Sequence, residues 1–144
     1  MGRGLSDGPN LDKGLAKPMR FAKIVFRIAG IYGFIVLLPQ YFSEDKTGRD
    51  FPPPITHPEF YYGFIGLALV WQLLFLLLSI DPVRYRLMMI PSMFEKLVFA
   101  IPVVILYYQH RVSTVILGVS LVDLVLGVLF LIAYIKTGAL NEAT

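Results

Sequence analysis

Four long apolar runs, separated by short polar connections, constrain this chain more than any other feature. They cover residues 21–38, 60–80, 97–108 and 112–135. Crossing about 30 Å of hydrocarbon takes about 20 helical residues at 1.5 Å each. The second and fourth runs reach that length directly. The first, whose start Lys23 and Arg27 interrupt, does so once its amphipathic ends are included, and the third once residues 91–96 are added. The runs are continuous, whereas membrane strands would alternate and would have to close into a barrel. The sequence therefore predicts an all-α membrane protein, a four-transmembrane-helix bundle with spans at about 21–42, 59–80, 92–109 and 113–136. Residues 1–20 read as a flexible cytoplasmic segment and 138–144 as a short cytoplasmic tail.

Composition agrees. Hydrophobic residues make up 56% and charged residues 16%, against about 45–50% and 25% in soluble domains. The net charge of +3 flanks apolar segments, which suits anionic headgroups and the lipid bilayer rather than nucleic acid. The chain has no cysteine, which excludes disulfides, thiol catalysis and Cys-ligated metal centres. After the first run comes Leu37-Leu38-Pro39-Gln40-Tyr41, without a small-residue cleavage site, so the run is expected to stay as a span.

Basic residues set the expected orientation. Arg3, Lys13, Lys17, Arg20, Lys23 and Arg27 lie before or early in the first span, and Arg84 and Arg86 lie between the second and third, with Lys96 just inside the third. The connection at 39–58 balances Lys46 and Arg49 against Glu44, Asp45 and Asp50. By the positive-inside rule both termini are then cytoplasmic. Tyr41, Phe42, Phe60, Tyr61, Tyr62, Tyr107 and Tyr108 would form an aromatic belt at the outer interface.

Local signals suggest the helix ends. Thr56-His57-Pro58-Glu59 and Ser92-Met93-Phe94-Glu95 each match a capping box. Asp81-Pro82 places a capping residue before a first-turn proline, predicting a short interfacial helix over 82–90 that Pro91 would end. Gly138 reads as the stop of the last helix, and Pro102 as a bend in the third.

Four residues stand out as a candidate buried polar site: Arg27, Gln72, Glu95 and Asp123. Asp123 falls near the middle of the last span, where an ionised side chain costs at least about 2.5–3.5 kcal/mol, so it should face protein, water or a partner. Ser120, Asp123, Gly127 and Tyr134 share its face by helical spacing. Asp123 reads either as a proton or ligand site or as a hydrogen-bonded strut between helices. Arg27 reads either as the partner of Glu95 or Asp123, depth favouring Glu95, or as a side chain snorkelling to headgroups. Glu59 and Glu95 read either as proton acceptors or as capping residues, the role their capping-box positions already explain. Gln72 is expected to make an interhelical hydrogen bond or to touch a quinone or lipid. Gly30 with Gly33, and Gly63 with Gly66, mark close helix approach. His57 and His110 both fall at the outer end, a poor arrangement for haem, and the nearby acids do not complete a metal set. No catalytic residue, metal or cofactor is predicted; the open ligand classes are quinone and lipid.

Several segments bring a family into view. Residues 39–42 (Pro-Gln-Tyr-Phe), 60–64 (Phe-Tyr-Tyr-Gly-Phe), 81–86 (Asp-Pro-Val-Arg-Tyr-Arg), 94–96 (Phe-Glu-Lys) and 123–130 (Asp-Leu-Val-Leu-Gly-Val-Leu-Phe) resemble an uncharacterised family of small bacterial four-helix membrane proteins. The arrangement is also similar to the wider DoxX-like group. That resemblance, over residues 21–135, implies a four-helix fold in a bacterial inner membrane and no defined activity. Some DoxX-like proteins are quinone- or redox-linked subunits, but this chain shows no matching site.

The sequence thus favours a non-enzymatic membrane protein. It would be an accessory subunit docking on a membrane-protein partner or homo-oligomer, or a bundle binding a lipid-like ligand. The alternatives are a small proton-coupled transporter using the buried acid and a quinone-linked redox subunit.

Overall fold

The structure, a computed structural model, describes residues 8–141, with side-chain environments for 16–138. Five α-helices and two short 3-10 turns follow in order. They are α1 (Gly8–Leu37), a 3-10 turn (Leu38–Phe42), α2 (Glu44–Asp50), α3 (Pro58–Ile80), a 3-10 turn (Arg86–Met88), α4 (Met89–Tyr108) and α5 (Thr114–Asn141). Segments Ala16–Phe42, Pro58–Ile80, Arg86–Tyr108 and Thr114–Gly138 are each long and apolar enough to cross a membrane. The chain is an all-α, multi-pass membrane protein with four spans.

The four spans form an open horseshoe. Going round, α3 packs along α1, α1 against α5, and α5 along α4, while the consecutive helices α3 and α4 barely touch. An aromatic stack closes the packed side. Phe26, Phe75 and Phe130 are fully buried; Phe26 lies 4.3 Å from Phe130 and Phe75 lies 5.0 Å from Phe130 between ring centroids. These three rings tie α1, α3 and α5 together, and offset or edge-on rings at such distances contribute about 0.5–1.5 kcal/mol beyond burial. Small residues let α1 approach α3 closely. A Cβ on Gly30 would fall 2.8 Å from the Leu76 side chain, and one on Gly33 would overlap Gln72. Gly63 meets nothing within 4 Å and Gly66 meets only the Tyr41 hydroxyl, so the second glycine pair does not mark a helix crossing.

Several helix ends differ from the sequence reading. Within the segment read as a lead-in, residues 8–20 are helical and continuous with the first span; residues 1–7 lie outside the described residues. Pro18 sits inside that helix, where the missing N–H leaves one carbonyl without its usual partner. The proposed interfacial helix at 82–90 is instead a turn followed by one 3-10 turn. Asp81 does cap it, its Oδ1 accepting from the Arg84 N–H at 3.1 Å. Pro91 falls in the first turn of α4 rather than ending a helix, since proline is tolerated where backbone N–H groups have no intrahelical acceptor. Helix α4 therefore starts before Ser92, which is fully buried and donates from Oγ to the Met88 carbonyl at 2.7 Å. Neither Ser92 nor Glu95 caps a helix. At α3 the N-cap residue is His57, without a side-chain cap bond, and Glu59 faces His57 Nδ1 at 3.1 Å. Helix α5 runs past Gly138 to Asn141. The glycine lets Arg86 lie against the helix: Nε donates to the Tyr134 carbonyl at 3.2 Å, and a Cβ at 138 would fall 2.5 Å from Nη2.

The connection between α1 and α3 is folded onto the bundle. Tyr61 donates from its hydroxyl to the Gln40 carbonyl and Tyr62 to Glu44 Oε2, both at 2.8 Å. Lys46 and Asp50 pair along the exposed side of α2. These contacts hold α2 over one end of the horseshoe, hereafter the loop end.

Candidate functional site

Because α3 and α4 stand apart, a cavity of about 910 Å³ fills the gap between them. Its walls come from all four spans. Tyr32, Gly33 and Val36 belong to α1, Phe64, Leu67, Ala68, Trp71 and Gln72 to α3, Phe94, Val98 and Phe99 to α4, and Val115, Ile116 and Val119 to α5. Gln40, Thr47 and Phe51 line it at the loop end. Most of this wall is apolar. Phe64, Leu67, Phe94 and Val98 are exposed on its lip, and Phe64 approaches Phe99 across the gap at 6.2 Å between ring centroids. On α3 the wall runs from Phe64 to Gln72, and on α5 from Val115 to Asp123. Eight residues of helix make each wall about 12 Å long.

The inner part of the cavity is polar. Lys96 on α4 is 5% exposed, and its Nζ lies 3.0 Å from Asp123 Oδ1 on α5. The same ammonium is 3.2 Å from Glu95 Oε2, donates weakly to Glu95 Oε1 at 3.5 Å, and sits 5.1 Å from the Phe75 ring centroid. Lys96 is twelve residues before the end of α4, and Asp123 nine after the start of α5. That places them about 18 and 14 Å below the loop end, well inside the bundle. Removing these charges from water is costly, and pairing offsets the cost only where the geometry is close.

The helix faces explain how the three groups meet. Met89, Ser92, Lys96, Ala100 and Val103 are the buried residues of α4 and recur at spacings of three and four. Lys96 thus belongs to the core face, not to the loop whose charge it was counted with. On α5, Ser120, Gly127 and Phe130 are buried around Asp123, so the shared face expected from spacing does turn inward. A Cβ on Gly127 would lie 3.5 Å from the Lys96 Cβ, which reflects the close approach of α4 and α5 there.

Gln72 and Glu95 leave polar atoms unmatched. Gln72 is 2% exposed and its Nε2 donates at 3.0 Å to the Ala68 carbonyl of its own helix. Its Oε1 is buried without a hydrogen-bond partner, so the expected interhelical bond is absent. Glu95 Oε2 is likewise buried without a hydrogen bond, despite its nearness to the lysine.

Of the four residues singled out from sequence, Gln72, Glu95 and Asp123 line this one cavity. Arg27 does not. It is exposed on the face of α1 that carries Ile24, Ile28, Ile31 and Ile35. It forms no ion pair among the described residues, and Lys96 holds the position expected of it. The cue for Lys96 was a lysine four residues after Ser92 and four before Ala100, in register with a buried helical stripe. Among the described residues no group of three or more His, Cys, Asp or Glu side chains could hold a metal ion.

Comparison with protein-family models, with curated proteins and with solved structures found no match.

Proposed function

We propose that this membrane protein is non-enzymatic and holds a lipid-like amphiphile in the cleft between α3 and α4. The observation that carries the reading is the cavity itself. It has the size of small-molecule sites, about 300–1,000 Å³, with apolar walls and a few convergent polar groups. Its lip lies between two membrane-spanning helices, so a molecule dissolved in the bilayer could enter sideways without crossing water. Tails would lie against Leu67, Val98 and Val119, and the head would reach Gln72, Glu95, Lys96 and Asp123.

The test is mass spectrometry of everything that copurifies with the protein from its native membrane. A stoichiometric amphiphile is the expected result. Purified protein with no bound amphiphile, taking none up from supplied lipid, would overturn the reading.

The distribution of Lys and Arg supports cytoplasmic termini even with Lys96 removed from the loop count, because Arg84 and Arg86 still face the same side as Arg20 and Lys23. The bacterial inner membrane and the DoxX-like relationship rest on the short segments quoted above.

One observation favours a second reading, proton-coupled transport. Asp123 and Glu95 share a single lysine at the inner end of the cavity, so one proton could pass between two carboxylates as Lys96 shifts partner. Proton-linked flux abolished by Asp123→Asn would support that reading, and flux unchanged by the substitution would remove it.

A further inference from the structure

The polar end of the cavity also indicates the chemistry of its ligand. We infer that the cleft takes an amphiphile whose head is a primary ammonium, positively charged and donating hydrogen bonds. The inference rests on the cleft being a binding site, and it adds which heads the site accepts.

Two features converge. The charged groups at the inner end are one ammonium, Lys96, and two carboxylates, Glu95 and Asp123, a formal sum of −1. Lys96 is shared between the two acids, its Nζ 3.0 Å from Asp123 Oδ1 and 3.2 Å from Glu95 Oε2, so one ammonium faces two carboxylates. The two buried side-chain atoms without a hydrogen-bond partner, among the described residues, are Gln72 Oε1 and Glu95 Oε2. Both are acceptors, and both residues line this cavity. Gln72 Oε1 has no donor, and Glu95 Oε2 has only the ion-pair contact of a lysine shared with Asp123. Buried acceptors so poorly matched are costly, so a ligand that donates to them, once the side chains turn toward the cavity, gains by its own bonds and by relieving that cost. A carboxylate head would face a net negative site and offer no donor. A quinone offers only acceptors. A quaternary ammonium matches the charge but has no N–H, and an alcohol donates without charge. A primary ammonium supplies both, with three donors.

Trp71 is the only tryptophan of the chain and lines the cavity, so it can report occupancy. Tail-brominated dodecylamine, dodecyltrimethylammonium, dodecanol and dodecanoate would be titrated into the purified protein, and quenching of Trp71 followed. The amine should quench saturably and bind about tenfold or more tighter than each of the others, as expected for charge-assisted hydrogen bonds. Gln72→Met and Glu95→Gln should each cut the preference for amine over alcohol by several-fold while leaving alcohol binding in place. A tail-brominated diacyl lipid with an ethanolamine head identifies the source: equal affinity assigns a membrane lipid, and quenching by the single-chain amine alone assigns a free amphiphile. Saturable quenching with equal affinity for amine and alcohol, or a preference for the carboxylate, overturns the inference and leaves the binding cleft standing. If none of the probes quenches Trp71 saturably, the cleft reading itself fails.

Discussion

Replacing Lys96 with methionine isolates the contribution of the buried charge cluster. The substitution keeps most of the side-chain volume and removes the ammonium held 3.0 Å from Asp123 and 3.2 Å from Glu95. At an effective dielectric near 20, each contact at such a distance is worth roughly 5 kcal/mol of Coulomb energy, before the desolvation that opposes it. Removing one partner of a buried pair leaves the other charge uncompensated and costs about 3–5 kcal/mol. Here two carboxylates would be stranded, so Lys96→Met should sit at the upper end. For a chain of this size, about 3 °C of melting temperature accompanies each kcal/mol, so a loss of roughly 10 °C or more is expected by thermal unfolding in detergent. Adding Glu95→Gln and Asp123→Asn removes the stranded charges and should restore most of the loss. A Lys96→Met melting temperature within about 2 °C of the parent protein would refute the reasoning. So would a triple variant no more stable than the single one.

Other outcomes follow from the packing. Phe26→Ala opens a hole in the stack with Phe75 and Phe130 and should destabilise by about 3–5 kcal/mol, read from the same unfolding curves. Gly33→Val would drive a side chain into Gln72 and should cost about 1–3 kcal/mol while shrinking the cavity, checked by unfolding and by Trp71 quenching. Tyr61→Phe with Tyr62→Phe removes the hydroxyls that hold the α1–α3 connection and should speed amide exchange in α2 with little change in global unfolding. Arg86→Met loses the bond to the Tyr134 carbonyl and the ring contact at 3.8 Å, and should loosen the end of α5 to proteolysis.

Four spans were legible in the sequence because bilayer thickness fixes how much apolar helix is needed, and runs such as 60–80 meet that need plainly. The direction each helix faces was harder to read. In α3 and α5 apolar residues surround the axis, so periodicity says little about which side is inward. Gly30 and Gly33 did mark the tight α1–α3 crossing, whereas Gly63 and Gly66 gave the same signal without one. The capping pattern at Ser92 misled because α4 begins earlier, at Met89, and a serine within a helix bonds back to the preceding turn instead. That shift of register turned Glu95 and Lys96 from helix-end residues into cavity residues. Asp123 was found from sequence because an acid within an apolar span is conspicuous. Arg27 was as conspicuous, but its exposed face could be known only from the packing of α1.

The central claim is that the gap between α3 and α4 is occupied by an amphiphile. Ala68 is half-buried and lines the cavity, whereas Val70, two residues on, is exposed and outside it. Mass spectrometry of copurified molecules from Ala68→Trp and Val70→Trp proteins compares a filled cavity with an unfilled one on the same helix. The account predicts that Val70→Trp keeps the bound amphiphile at the parent stoichiometry and that folded Ala68→Trp loses it. Equal amounts in both variants would contradict it.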